Sequence, residues 1–225
     1  MGKSINILTA VSAIMIFFGI YLIVAYAPME QSMLEIQKVF YFHVSSAFTA
    51  FAAFGVNFVL CIMFLIKRKA LHDILAVASA EIGLLFCTAV LLSGPIWARV
   101  SWNTWWTWEP RLTTTLVMWL MYVGYFILRA ILSGETRRTF SAVLGIFAGL
   151  NVPIVYHSVN IWQAASNMHP GTNTKYDMAT PMKLTFWFVV LAFLSFYVLM
   201  LLLQYRMGKS NLQYETIRQR QLGEL

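Results

Sequence analysis

Six apolar stretches dominate the chain, at about Ile5 to Ala27, Val44 to Ile66, Ile74 to Gly94, Thr113 to Leu132, Phe140 to Trp162 and Lys183 to Tyr205. A hydrocarbon core about 30 Å thick needs roughly 20 apolar residues at the rise of an α-helix, and each stretch reaches that length. The solvent for most of the chain is therefore lipid. Charge supports the same conclusion: a soluble domain is about a quarter charged, whereas 11% of these 225 residues are charged and 60% are hydrophobic. Only helices and closed barrels satisfy their backbone in lipid, and continuous apolar runs lack the alternation of barrel strands. The expected fold is all-α, a single membrane domain over residues 1–225 built as a bundle of six transmembrane helices.

Abundant aromatics exclude a disordered chain, and two cysteines exclude a disulfide scaffold. The net charge of +7 does not point to nucleic acid, because the basic residues form short tufts between apolar runs. The first run ends in Ala25-Tyr26-Ala27, which resembles a leader cleavage site. Its apolar core is longer than the roughly 7–15 residues of a secretory leader, so it reads as a retained span.

Loop charge sets the orientation. Eleven of the 16 basic residues fall on one side, namely Lys3, Lys67, Arg68, Lys69, Arg129, Arg137, Arg138, Arg206, Lys209, Arg218 and Arg220. The richer side is expected to be cytoplasmic. Both termini then lie in the cytoplasm, and the outer loops span about 28–42, 95–112 and 163–182. Ser93-Gly94-Pro95 reads as the end of the third span, and Pro110 and Pro181 suit first helical turns. The polar tail after Tyr205 is expected to be a short interfacial helix.

Five of the eight tryptophans lie between Trp97 and Trp108, in one outer loop. An aromatic belt at headgroup level accounts for one or two indoles per helix end. The excess fits a platform for a flat, apolar ligand. If the segment from Trp102 to Glu109 is helical, Trp102, Trp105, Trp106 and Glu109 share one face; Trp108 belongs to the same cluster. Arg99 and Arg111 bracket the loop, and guanidinium groups pair well with carboxylates. Arg111 is equally able to pair with Glu109 or a lipid headgroup.

His43 and His169 are also expected on the outer face, and imidazole is a common axial ligand of haem iron. Two imidazoles, an indole surface and flanking arginines match a flat macrocycle with an iron and two propionates. Zinc is the competing metal, but no third ligand and no outer cysteine accompany the pair. His157 lies near the outer end of the fifth span, either in ligand contact or inside the bundle; His72 is expected to be solvated. Glu81 is an intramembrane carboxylate, a functional candidate that also suits a hydrogen bond with Asn57.

The string Trp102-Asn103-Thr104-Trp105-Trp106-Thr107-Trp108-Glu109-Pro110-Arg111-Leu112-Thr113 resembles the tryptophan-rich WWD signature of the haem-handling proteins of cytochrome c maturation. The likeness is to the haem exporter protein C type and extends over nearly the whole chain. Asn103 stands where the signature usually has Gly, and Glu109 where it has Asp. The resemblance implies that His43 and His169 are axial ligands of haem b, cradled by the tryptophan loop and Arg111. It also implies delivery to a periplasmic haem chaperone, which binds haem covalently through its own histidine. Further implied partners are an ATP-binding-cassette ATPase with its membrane subunit and a small membrane peptide. The implied location is the bacterial inner membrane, with the lipid bilayer as solvent.

Two other functions compete with this one, the first with the same two histidines as ligands. A bis-histidine electron-transfer cytochrome needs haem between spans and a second redox centre within reach. A haem transporter needs broken helices and a polar path at mid-membrane, for which only Pro153, Asn57 and Glu81 are available. No P-loop, nucleophile elbow or zinc-protease motif is present, so the chain is expected not to be an enzyme, although a lyase-like part in loading the chaperone stays open.

Overall fold

The computed structural model describes residues 2–30, 34–162, 169 and 178–221. Helix α1 (Gly2–Tyr21) continues into a five-residue π turn, Leu22–Tyr26. A 3₁₀ turn, Leu34–Ile36, leads into α2 (Gln37–Lys67), followed by α3 (Ala70–Trp102), α4 (Pro110–Ile131), α5 (Gly134–Ile161) and α6 (Thr180–Gln221). All six helices are long and apolar enough to cross a membrane, and no strand occurs among the described residues. The all-α, six-span expectation therefore holds.

The shortest links dictate the topology. Arg68 and Lys69 alone join α2 to α3, with Arg68 left-handed at φ 52°, and Leu132 and Ser133 join α4 to α5, with Gly134 at φ 59°. Links this short force antiparallel neighbours. At one end of the bundle Arg129 pairs with Asp73 through two hydrogen bonds of 2.7 and 3.1 Å, and Arg68 donates to Thr139 at 2.8 Å. At the other end His43 meets Ser93, and Arg111 donates to the Tyr156 carbonyl.

Lipid is as apolar as leucine, so close packing and polar pairing must hold the helices together. Both are present. Gly145 and Gly149, four residues apart on α5, let α2 approach so closely that an added Cβ would meet Cys61 Sγ or Phe58 Cβ at 2.7 Å. Phe54 stacks on Tyr122 at 3.8 Å. Asn57, fully buried, donates to the Ala76 carbonyl at 2.8 Å and accepts from Tyr122 at 3.2 Å. Its partners are therefore not Glu81, which is exposed on α3 and bonded to Gln204 of α6. Helix α1 lies outside this core against α6, with Phe18 edge-on to Phe188 at 5.2 Å.

Helix extends further at the end that carries His43 than the sequence suggests. Residues 34–42, expected as loop, are helical, so His43 sits within α2 rather than at its mouth. Residues 95–102 are helical as well: α3 runs through Pro95 instead of ending there. Proline removes one N–H and so deprives the Leu91 carbonyl of its helix donor, a loss that intramembrane helices tolerate. At the opposite end α6 continues past Tyr205 to Gln221 as one helix. His72, expected to be solvated, is buried.

Candidate functional site

The tryptophan segment is not helical between residues 103 and 109. Asn103 takes the left-handed conformation, φ 56° and ψ 26°, and ends α3. Asn is the side chain that best tolerates this region after Gly, which explains why it can stand where the signature has Gly. Pro110 opens α4 at its first position and holds Glu109 extended, at ψ 160°. The loop is thus fixed at both ends by backbone chemistry. The expected single helical face of Trp102, Trp105, Trp106 and Glu109 is overturned.

Edge-on contacts replace that face. Trp97 meets Trp102 at 4.9 Å, Trp106 meets Trp108 at 5.7 Å, and Trp102 meets the His169 ring at 4.9 Å and 74°. Trp105 and Trp108 are 60% and 74% exposed, while Trp97, Trp102 and Trp106 are half-buried. Arg99 donates to the Asn103 carbonyl at 2.9 Å and to its side-chain oxygen, and lies 5.9 Å over the Trp105 ring. It clamps the turn that α3 ends on. Arg111, in the first turn of α4, donates to the Tyr156 carbonyl of α5 at 3.3 Å.

His169 and Glu109 meet directly, the imidazole Nδ1 against a carboxylate oxygen. Glu109 is 6% exposed and occupies the N-cap position of α4, yet its side chain caps no backbone N–H. The extra methylene relative to Asp instead carries the carboxylate to His169. Burial, and after it the neighbouring His43 ring, push the His169 pKa down to about 4. An ionised carboxylate only accepts, so Nδ1 is the donor in this contact and Nε2 is the ring nitrogen left outside it. Trp102, which His169 meets, also meets Trp97, about one turn of α3 beyond the Ser93 and Gly94 that His43 touches, so the two histidines share one end of the bundle although they come from different elements.

His43 reaches that neighbourhood from α2. Its Nδ1 lies 2.9 Å from Ser93 Oγ, and the ring rests against Gly94, where a Cβ would come within 3.3 Å of Cε1. Ser93 as a partner escaped the sequence reading, because fifty residues of separation leave no local pattern. Trp97, part of the cluster, was not singled out among its neighbours. His157 is exposed, edge-on to Tyr156 at 4.9 Å, and lines a shallow groove with Pro153, Ile154, Asn160 and Ile161. It is not inside the bundle.

Four polar atoms around the loop are shielded with no hydrogen-bond partner among the described residues: Trp97 Nε1, Ser101 Oγ, Trp106 Nε1 and Thr107 Oγ1. A buried group left unpaired costs about 1–3 kcal/mol. The arrangement thus combines two imidazoles, indole faces and unpaired donors at one end of a membrane bundle.

Comparison with known proteins matches residues 1–221 to the family model CcmC, described as Heme exporter protein C. A protein of Bradyrhizobium diazoefficiens with that name is 34% identical over 169 residues, covering 73% of this chain and 64% of the relative. The chain thus aligns with just under two thirds of that relative. Heme exporter protein C of Haemophilus influenzae is 26% identical over 92% of this chain and 85% of its own length. The Escherichia coli K12 protein of the same name is 26% identical over 69% of this chain.

Proposed function

Since the chain belongs to the Heme exporter protein C family, we propose that it holds haem b at the outer face of the membrane and delivers it to a periplasmic haem chaperone during cytochrome c maturation. Its six spanning helices and its bacterial relatives make it a multi-pass inner-membrane protein. Haem is the cargo of this reading, with iron that accepts two imidazole nitrogens. Both termini are cytoplasmic in it, in keeping with the charge-rich side.

One observation carries the proposal. His43 and His169 come from distant parts of the chain, share one end of the bundle, and each engage a hydrogen-bonding oxygen through Nδ1. For His169 the acceptor is a carboxylate, the arrangement that fixes tautomer and ring orientation in histidine ligands. The tryptophans supply apolar contact with the macrocycle. The unpaired donors Trp97 Nε1 and Trp106 Nε1 suit the propionates, and Arg111 adds positive charge. Arg99 supports the loop through Asn103, and Trp105 and Trp108 present exposed indole surface for the macrocycle or the incoming chaperone.

No residue here is assigned a bond-breaking role. The chain orients haem, and covalent attachment belongs to the chaperone's own histidine. Release of the loaded chaperone is assigned to an ATP-binding-cassette ATPase with its membrane subunit and a small membrane peptide. The test is the visible spectrum of the purified chain with haem. The native chain is expected to give a six-coordinate bis-histidine spectrum, and the His43→Ala, His169→Ala double variant to lose it. An unchanged Soret band in the double variant contradicts the assignment.

A further inference from the structure

We propose that Ser93 is a positioning residue for His43, holding its imidazole as the Nδ1–H tautomer so that Nε2 is the nitrogen offered to iron. The inference rests on the ligand reading above and refines it.

Hydrogen-bond arithmetic makes the assignment. A serine hydroxyl has one proton to donate. Ser93 Oγ lies 2.6 Å from the Ala89 carbonyl and 3.4 Å from that of Val90, and both carbonyls are acceptors only. The hydroxyl proton is therefore committed to the helix backbone. The remaining neighbour of the hydroxyl, His43 Nδ1 at 2.9 Å, must donate, and the Val90 carbonyl beside Ser93 is a second acceptor for the imidazole. A neutral imidazole carries one N–H, so Nε2 keeps its lone pair. The ring sits in the space that Gly94 leaves by lacking a side chain, since an added Cβ would come within 3.3 Å of Cε1. Ser93 is itself buried, at 7% exposure, so water does not compete for the contact.

The partners of the two histidines differ in charge. His169 donates to the carboxylate of Glu109, His43 to neutral acceptors, the Ser93 hydroxyl and the Val90 carbonyl. An anionic acceptor makes an imidazole a stronger electron donor than a neutral one does. His43 is therefore the weaker of the two ligands, and the one more readily exchanged when haem leaves. Ser93 thus sets both which nitrogen binds and how firmly. A serine that only back-bonds to its own helix would do neither.

The experiment uses the full chain loaded with haem, comparing Ser93→Ala and Ser93→Thr with the native sequence. Its readouts are the haem dissociation constant and the reduction potential of bound haem. Loss of a partner behind a ligand typically costs about 10- to 100-fold in affinity, and the Ala variant is expected to fall in that range. Its potential shifts to more positive values, because the less donating imidazole stabilises ferric iron less. Thr, which keeps the hydroxyl, restores both readouts and shows that the Ala effect is not misfolding. Native affinity and potential in Ser93→Ala, alongside loss of both in His43→Ala, overturn this proposal and leave the ligand reading standing. A native spectrum in His43→Ala overturns the two together.

Discussion

Asn103 carries more structural weight than its small polar side chain suggests. Its left-handed backbone ends α3 and turns the chain into the tryptophan loop. Gly is expected to substitute without loss, whereas Val, forced into this region with a branched Cβ, should cost about 1–2 kcal/mol in thermal unfolding. Glu109 and His169 make a second residue-scale prediction. The folded imidazole has a pKa of about 4 against an ordinary 6.5. As pH falls through that window the unfolded chain takes up a proton that the folded site refuses. Stability from this residue is thus complete above about pH 6.5 and is lost progressively toward about pH 4. Fluorescence of the tryptophans, one of which touches His169, should report the loss, and His169→Ala should abolish the step. The tryptophans were legible in the sequence because five of them crowd one short stretch, and His43 and His169 because the assignment of spans put both in outer segments. Ser93 was not, since its importance exists only once α2 and α3 pack together. Nor was the non-helical loop, because helical spacing among tryptophans says nothing of a left-handed residue between them.

At the scale of elements, the contact of α2 with α5 depends on Gly145 and Gly149. A methyl at either position meets a neighbour at 2.7 Å, and overpacking of that kind typically costs about 1–3 kcal/mol. Gly149→Ala is expected to lower the midpoint of thermal unfolding; Gly124→Ala, with nothing within 4 Å of its added Cβ, is expected to leave it unchanged. The polar clamp at the opposite end makes a complementary case. Arg129 and Asp73 have side chains 12% and 10% exposed, and removing one partner of a buried pair strands the other charge, at roughly 3–5 kcal/mol. Arg129→Gln should fall toward the lower part of that range, because Arg138 also lies 3.8 Å from Asp73. The positions of all six helices were readable from hydropathy alone. Their ends were not, and α3 shows why. Pro95 stops a helix in water but is accommodated in a bundle where no solvent competes for the freed backbone.

For the whole molecule, the two-residue links from α2 to α3 and from α4 to α5 lie at one end of the bundle and leave His43, Ser93 and Glu109 at the other. That places residues from His43 to His169 around a single site. The proposed haem-carrying function draws on what the site offers together: two imidazoles, indole surface and unpaired donors, each ordinary alone. The central claim is that His43 and His169 jointly bind the iron. It is tested most directly by visible spectroscopy of the haem-loaded chain beside its His43→Ala and His169→Ala single variants. Each variant is expected to lose the bis-histidine spectrum and to regain six-coordination on addition of free imidazole. Retention of the native Soret and visible bands in either variant, without imidazole, would contradict the account.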